Sequence, residues 1–429
     1  MRLGGRLQAA IEILDDIETR KRPASDALKD WGLSHRFAGA GDRAVIGNIV
    51  YDALRRKSSI AWRMDSAEAR DIAYGALLSD AEMSLEAIGA ELEDDKFAPA
   101  PLDESRLAAW EARDLAAAPG HIRADVPEWC AEHLQALFGD DWVREGAALA
   151  GRPPVDLRVN TLKASRDKVL KELARAGAEA APLLSGAVRI PPLRALGRHP
   201  NVQAEPAFQK GWFEVQDLGS QIAALVAGAE PGRQVLDYCA GAGGKTLALA
   251  AMMGNKGQIH AFDAEKPRLA PIFDRLKRAG VRNAQVHAVK EDLAPLEGQM
   301  DIVLTDAPCT GSGTWRRRPD AKWRLSPQQL ERREAEQREV LDAAKRYVKP
   351  GGRLVYVTCS LFSSENNRQI EAFLHQNPGY TEIDAARLWH SAVPEAGEAM
   401  PVFPDHGMVL SPERTFSDGF YISVLQRVG

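Results

Sequence analysis

Cysteine is scarce in this chain: four residues in 429, at Cys130, Cys239, Cys309 and Cys359, with no Cys-x-x-Cys pair. So few thiols exclude a disulfide framework, and their spacing argues against a zinc knuckle or a redox dithiol. The nine histidines form no ligand spacing either, so no metal is expected. Long apolar runs are also missing. No stretch approaches the ~20 apolar residues that span a bilayer. The N-terminus, MRLGGRLQAAIEILDD, meets acids before a signal core can form. The expectation is a cytoplasmic protein with no membrane partner, whose thiols stay reduced and free for chemistry. No internal repeat or low-complexity segment interrupts it.

An excess of positive charge is absent as well. Lys and Arg total 55, Asp and Glu total 60, and the net charge is −5. Taken as a total, that speaks against a nucleic-acid binder, which must gather cations for phosphates. The total hides a gradient. Residues 1–130 hold 17 basic and 24 acidic side chains, a balance of −7, which leaves the other 299 residues at +2. Between Met64 and Asp114 there are 14 acids against four bases. Such a stretch reads as solvated helices and loops, since like charges at that density do not face RNA phosphates.

The length suggests two or three domains at about 150 residues each. Leu7, Ala10, Ile11, Leu14 and Ile17 form one helical stripe. Asp42 is a plausible N-cap for a helix whose face carries Val45, Ile46, Ile49, Val50 and Leu54. PEWCAEHLQALFG is a further amphipathic helix, on which Cys130 reads as a small buried residue. After Gly151-Arg152-Pro153-Pro154 the pattern changes. VDLRVNTLK alternates as a strand, ASRDKVLKELARAG is a helix capped by Ser165, and AVRIP is a short strand. GWFEVQDLGSQIAALVAGA reads as a helix opened by the turn around Gly211. From Pro231 onward, QVLDYCA, GQIHAFDA, AQVHAV, MDIVLTDAP and GRLVYVTCS alternate with helical segments. That is the signature of an α/β fold on a mainly parallel sheet. Ser326-Pro327 opens a helix expected to run to Lys349, stopped by Pro350-Gly351-Gly352. The expected divisions are an all-helical domain at 1–145, a small α+β unit at 146–229 and an α/β domain at 230–429.

In such sheets ligands sit beyond the carboxyl ends of the strands, so those ends decide function. The first ends in DYCAGAGGKT (237–246). A P-loop would need glycine at Cys239, and a dinucleotide fingerprint would need it at Thr246, so both motifs fail. What remains is a small-residue turn into a helix N-terminus, weak evidence alone for a nucleotide-like cofactor. Asp263, about twenty residues on, is placed as a ribose partner; its bland alternative is a helix cap. Glu291-Asp292 after the third strand can reach an adenine amino group. The fourth and fifth strands end in DAPCTGSG and YVTCS. One cysteine at a strand end is more often structural, but Cys309 and Cys359 on neighbouring ends, near Asp306, read as thiol chemistry on an electron-poor ring.

LDYCAGAGGKT, the acids Asp263 and Asp292, DAPCTGSG and the late TCS together resemble the Nop/Sun family of S-adenosylmethionine-dependent RNA cytosine-C5 methyltransferases. Within it, the bacterial 16S rRNA enzymes of the RsmB type are the nearest in pattern. RVNTLK, WRRRPDAKWR and DGFYISVLQR extend the likeness from about residue 150 to the end, and GDRAVIGNIVYDALRRK resembles the attached NusB-like helical domain. The resemblance implies a Rossmann-like class I methyltransferase domain, with the small α+β unit and the NusB-like domain before it. It implies Cys239, Ala240, Gly241, Gly243, Gly244, Lys245, Asp263, Arg268, Asp292 and Asp306 around S-adenosylmethionine. It assigns Cys359 as the nucleophile, Asp306 as the partner of N3 and the amino group, and Cys309 as the helper for release. The residues alone do not choose between the two cysteines. Lys245 can orient Asp306 or act on the nucleophile, and its bland alternative is a solvated helix-start lysine. Where this chain has Ala242 the family usually has proline, so a slightly looser turn is expected.

The target base must leave its stack, which favours single-stranded or loop RNA. Trp315, Arg316, Arg317, Arg318, Lys322 and Arg324 in WRRRPDAKWR form the expected RNA surface, with Arg158 and Lys163 a second patch. The alternative is a solvated loop with its tryptophans folded inward. Expected partners are rRNA, alone or within a partly assembled ribosomal subunit, for a monomeric enzyme. Competing readings are a tRNA cytosine-C5 methyltransferase, an amino-group methyltransferase and a non-catalytic RNA-binding assembly factor.

Overall fold

The computed structural model describes residues 1–192, 196–197 and 200–429, which fall into two compact units. One comprises Met1–Pro153, Pro192–Pro200 and Thr314–Leu325; the other comprises Pro154–Pro191, Asn201–Gly313 and Ser326–Gly429. Among the described residues no helix is long and apolar enough to cross a membrane.

The first unit is helical because its apolar residues recur at three- and four-residue spacing. Leu7, Ala10, Leu14 and Ile17 of the helix Leu3–Arg20 bury their stripe with Ile46, Ile49, Val50 and Leu54 of the helix Ala40–Arg55. Ile72 and Leu77 of the helix Ala69–Ser79 complete that core. Full burial of each such side chain contributes about 1.5–3 kcal/mol. The Ala40 helix starts three residues earlier than expected. Gly39 is its N-cap, and Asp42 sits inside the first turn, where its carboxylate accepts the Gly39 N–H at 3.2 Å. Cys130 is fully buried, and burial raises its thiol above the ordinary range.

The second unit holds two sheets. The smaller has the order β2-β3-β1-β4, from β1 (Val155–Val159), β2 (Glu179–Ala180), β3 (Ala187–Ile190) and β4 (Phe213–Val215). Ser165 caps the helix Arg166–Glu172, as its position suggested. The stretch from Gly211 differs from expectation: Phe213–Val215 pairs antiparallel with β1, and the helix begins only at Leu218, capped by Asp217. A β-type Phe-Glu-Val triplet beside a sheet edge overrides the helical periodicity that follows it.

The larger sheet contains β5 (Gln234–Asp237), β6 (Gln258–Phe262), β7 (Ala284–His287), β8 (Met300–Asp306), β9 (Val348–Thr358), β10 (Tyr380–Glu382), β11 (Met408–Leu410) and β12 (Phe420–Arg427). Its order is β10-β12-β9-β8-β5-β6-β7, with β11 on β12. Strands β5 to β9 run parallel, and β12 lies antiparallel on β9. The order reverses between β5 and β8, which opens the crevice where such sheets bind ligands. The helix from Pro327 ends at Ala344, not Lys349. Pro350-Gly351-Gly352 instead lies within β9, where the register jumps from Met300↔Val348 to Ile302↔Arg353. The Pro-Gly-Gly is therefore the looped-out part of a β-bulge.

Candidate active site

Everything expected to do chemistry stands at the carboxyl ends of β5, β6, β8 and β9. Asp237, closing β5, is buried and accepts the Thr246 hydroxyl at 2.6 Å. Burial pushes its carboxyl up to about 7, against the lowering effect of that hydrogen bond. The turn beyond it folds back on the sheet, with Ala240 N–H on the Phe262 carbonyl at 2.9 Å and Gly243 N–H on Ala240 at 2.8 Å. Gly243 has φ +82°, and a Cβ there would strike Ile272 at 2.5 Å, so only glycine suits the place. Cys239 lies in this turn, and burial foremost raises its thiol well above the ordinary range.

Asp263 follows β6, with its side chain 4% exposed. One carboxylate oxygen accepts Gly241 N–H at 2.9 Å and the other accepts Glu265 N–H at 2.9 Å. Each oxygen keeps a lone pair for a ribose hydroxyl. Arg268 stands 3.8 Å away. A Cβ on Gly241 would sit 3.6 Å from the Arg268 guanidinium and 3.9 Å from Asp263, in front of that carboxylate. The remaining lone pairs of Asp263, with Arg268 alongside, fit the hydroxyls of a nucleoside. Asp292 lies exposed in the short turn Lys290–Leu296.

The thiols are brought together as the adjacent β8 and β9 require. Cys309 and Cys359 place their sulfurs 3.3 Å apart. The hydrogen bond to Cys359 and burial raise the Cys309 thiol well above the ordinary range. At the tip of β8, Asp306 pairs with Lys245 at 2.6 Å; the lysine side chain is 6% exposed and the carboxylate 36%. Lys245 is thus no solvated helix-start lysine, and it also lies 5.5 Å over the Phe420 ring. Asp306 keeps its open side toward solvent.

Sequence reasoning missed two supports. Arg275 donates to the Ala242 carbonyl at 2.8 Å and is held by Glu214 at 3.0 Å, so a side chain ties down the turn that lacks proline. Glu365 joins the two cysteine loops through Thr310 and Ser360. Neither residue stands in a strand-end motif, and each acts across a long sequence separation.

The expected RNA surface needs correction. Trp315, Arg316, Lys322 and Arg158 are buried. The Lys322 ammonium donates to the Arg55 carbonyl at 2.7 Å and to the Asp125 carbonyl, and burial pushes its pKa down to about 7. Trp323 donates to the Leu54 carbonyl at 2.7 Å. Pro319–Arg324 is a short helix of the first unit, not a solvated loop, and Arg324 pairs with Asp320 at 2.7 Å. Arg158 gives its guanidinium to Gln216 at 2.6 Å. Arg317 is half-buried, and Arg318 is exposed.

A parallel sheet with a glycine turn after its first strand, an acid after its second and two thiols on the adjoining strand ends defines a Rossmann-like class I methyltransferase fold. Residues 224–426 match the family described as 16S rRNA methyltransferase RsmB/F, and residues 126–191 match a ferredoxin-like domain of RsmF/B-like methyltransferases. The ribosomal RNA small subunit methyltransferase B of Pseudomonas syringae pv. tomato is 34% identical over 309 residues, covering 72% of this chain and 67% of that protein. The protein of the same name from Klebsiella pneumoniae subsp. pneumoniae is 38% identical over 258 residues, 59% of this chain and 58% of that one. Among solved structures, PH0851 superposes over 100% of both chains with TM-score 0.72 and 26% identity. A methyltransferase homolog protein from Pyrococcus horikoshii covers 72% of this chain and 98% of its own, with TM-score 0.57 and 26% identity. The chain belongs to the RsmB/F family of 16S rRNA methyltransferases.

Proposed function

We propose that this protein methylates C5 of a cytosine in RNA, with 16S rRNA as the substrate, through a covalent bond between Cys359 and C6 of the base. The observation that carries the reading is the pair of thiols 3.3 Å apart beside the Lys245–Asp306 pair. An amino-group methyltransferase has no use for either sulfur. S-adenosylmethionine, held by the glycine turn, Asp263, Arg268 and Asp292, supplies an electrophilic methyl group when bound.

Cytosine C5 is a poor nucleophile, and the residues present answer that problem. The Cys359 thiolate adds to C6, forming a C–S bond and moving electron density to C5. Asp306 donates a proton to N3 as the thiolate adds and accepts the exocyclic amino N–H, while Lys245 fixes its orientation. After C5 has been alkylated it loses its proton to solvent water, the C5–C6 double bond re-forms, the C6–S electron pair leaves on the Cys359 sulfur and N3 returns its proton to Asp306. Cys309 stands 3.3 Å from the departing sulfur, which places it to assist release. Within WRRRPDAKWR, Arg318 is the exposed cation, which makes it the candidate for contact with RNA phosphate.

Bisulfite mapping of RNA from cells lacking the gene tests the reading. Loss of a 16S rRNA 5-methylcytosine is the expected result. Loss confined to tRNA would redirect the substrate, and an unchanged map would end the proposal.

A further inference from the structure

We infer that Glu365 is the positioning residue that holds the two catalytic thiols at their working separation. The inference rests on the proposed function and adds to it a residue that touches neither sulfur nor base. Glu365 is 0% exposed in the short turn Ser363–Glu365 that follows Cys359. Burying a carboxylate is costly unless hydrogen bonds replace its water. Here they do. One oxygen accepts the Thr310 N–H at 2.8 Å and the Gln337 side-chain amide at 2.9 Å. The other accepts the Thr310 hydroxyl at 2.5 Å and the Ser360 hydroxyl.

The donors reveal what is being joined. Thr310 follows Cys309 directly, and Ser360 follows Cys359 directly, so one carboxylate bridges the residues next to both thiols. Gln337, from the helix Pro327–Ala344, also donates to the Pro308 carbonyl at 2.9 Å, bracing the other flank of Cys309. The Glu365 backbone is anchored in turn, its carbonyl accepting the Tyr356 hydroxyl at 2.7 Å from within β9. Strand pairing holds β8 to β9 only as far as Asp306↔Val357, short of either cysteine. Beyond that register, Glu365 ties the residues next to both thiols together, while Ser312 joins the loops further on through the Ser360 hydroxyl at 3.1 Å and the Leu361 N–H at 2.8 Å, and the Gly313 N–H donates to the Cys359 carbonyl at 2.9 Å. Its negative charge also adds to the upward shift of the Cys309 thiol, behind the larger effects of Cys359 and burial.

The test compares the full-length wild type with Glu365→Ala, Glu365→Gln and the double variant Thr310→Val/Ser360→Ala. The first readout is the rate at which diamide joins Cys309 to Cys359. Two thiols lose two hydrogens, diamide is reduced to its hydrazine, and peptide mass mapping identifies the bond. The second readout is kcat and KM for methylation. Glu365→Ala is expected to form the disulfide roughly tenfold more slowly and to lose about 100-fold in kcat, as expected for reacting groups displaced by about 1 Å. Its KM for S-adenosylmethionine stays unchanged. Glu365→Gln keeps an acceptor for Thr310 N–H and an amide for the hydroxyls, so it recovers most of both rates. Should Glu365→Ala fail to fold, the double variant decides, with slowing in the same direction. The inference is overturned if the thiols join at the wild-type rate without the clamp, if cofactor affinity falls in step with kcat, or if Glu365→Gln is as impaired as Glu365→Ala. A wild type that methylates no cytosine would remove the proposed function, while the disulfide rates would still judge the clamp.

Discussion

Cys309 and Cys359 approach to 3.3 Å, sulfur to sulfur, although 50 residues separate them in the chain. They meet because β8 and β9 are adjacent and parallel, so their ends arrive at one edge. The roles proposed for them differ, and the difference can be measured. A Cys309→Ala enzyme should make the bond to C6 and fail to release it, leaving an RNA–protein adduct on a denaturing gel. A Cys359→Ala enzyme should form none. Adducts from both, or from neither, would sink the division of labour. Asp306→Asn should lower kcat by about 100-fold or more without preventing cofactor binding, since it removes the partner of the base but leaves the glycine turn intact.

The buried ionisable groups give stability two opposing pH limbs. Asp237 is pushed up to about 7 by burial, so the native state holds its proton more tightly than the unfolded chain. Its contribution is fully present below about pH 4 and is lost as pH rises toward 7. His260 and His287 bond across β6 and β7 at 2.9 Å. Burial lowers both, His260 to about 4, so the unfolded chain takes up their protons first. Their contribution is present above about pH 6.5 and is lost as pH falls. Asp237→Asn should therefore leave stability rising with pH across this window, and His260→Leu should leave it falling. Urea midpoints at about pH 5 and about pH 7.5 distinguish the slopes; parallel profiles for wild type and both variants would contradict the assignment.

The parallel sheet and its strand-end residues were readable because both follow from local pattern. Short apolar runs named the strands, and the residue after each run had to lie at the crevice. Asp237, Asp263, Asp306, Cys309 and Cys359 all obeyed that rule. What escaped depended on contacts that no local pattern encodes. WRRRPDAKWR looks basic and solvated in isolation, yet Lys322 spends its charge on carbonyls some 200 or more residues earlier. Glu365, in SSENN, carries no local pattern that marks it, and only Thr310 and Gln337, brought in from distant parts of the chain, define its place. Phe213–Val215 became a strand only because β1 offered an edge.

The burial of Lys322 separates two effects that its charge alone would merge. Lys322→Met leaves two carbonyls without their donor, so the helical unit should lose about 1–3 kcal/mol. Binding of RNA should keep its wild-type salt dependence once the protein is folded. Arg318→Ala should do the reverse, leaving the melting temperature in place and reducing the slope of log K against log salt by about 1. A Lys322→Met protein with unchanged stability and a shallower salt slope would return this residue to the RNA surface.

Ala242 stands where proline would stiffen the cofactor turn, and Arg275 grips its carbonyl from a helix on the far side of the turn. The guanidinium is itself fixed, since Glu214 on β4 accepts from it at 3.0 Å and from Arg278 at 2.6 Å. The turn is therefore held from outside, by two charged residues, where proline would restrict it from within. Arg275→Leu should weaken S-adenosylmethionine binding by roughly tenfold, the effect of losing one charge-assisted hydrogen bond. Adding Ala242→Pro to that variant should restore part of the affinity, because the restricted φ reduces the ordering that binding requires. Calorimetry on the two variants reads both numbers. If Arg275→Leu binds as wild type does, the arginine is a surface pairing of no consequence to the turn; if the proline restores nothing, the turn does not need stiffening.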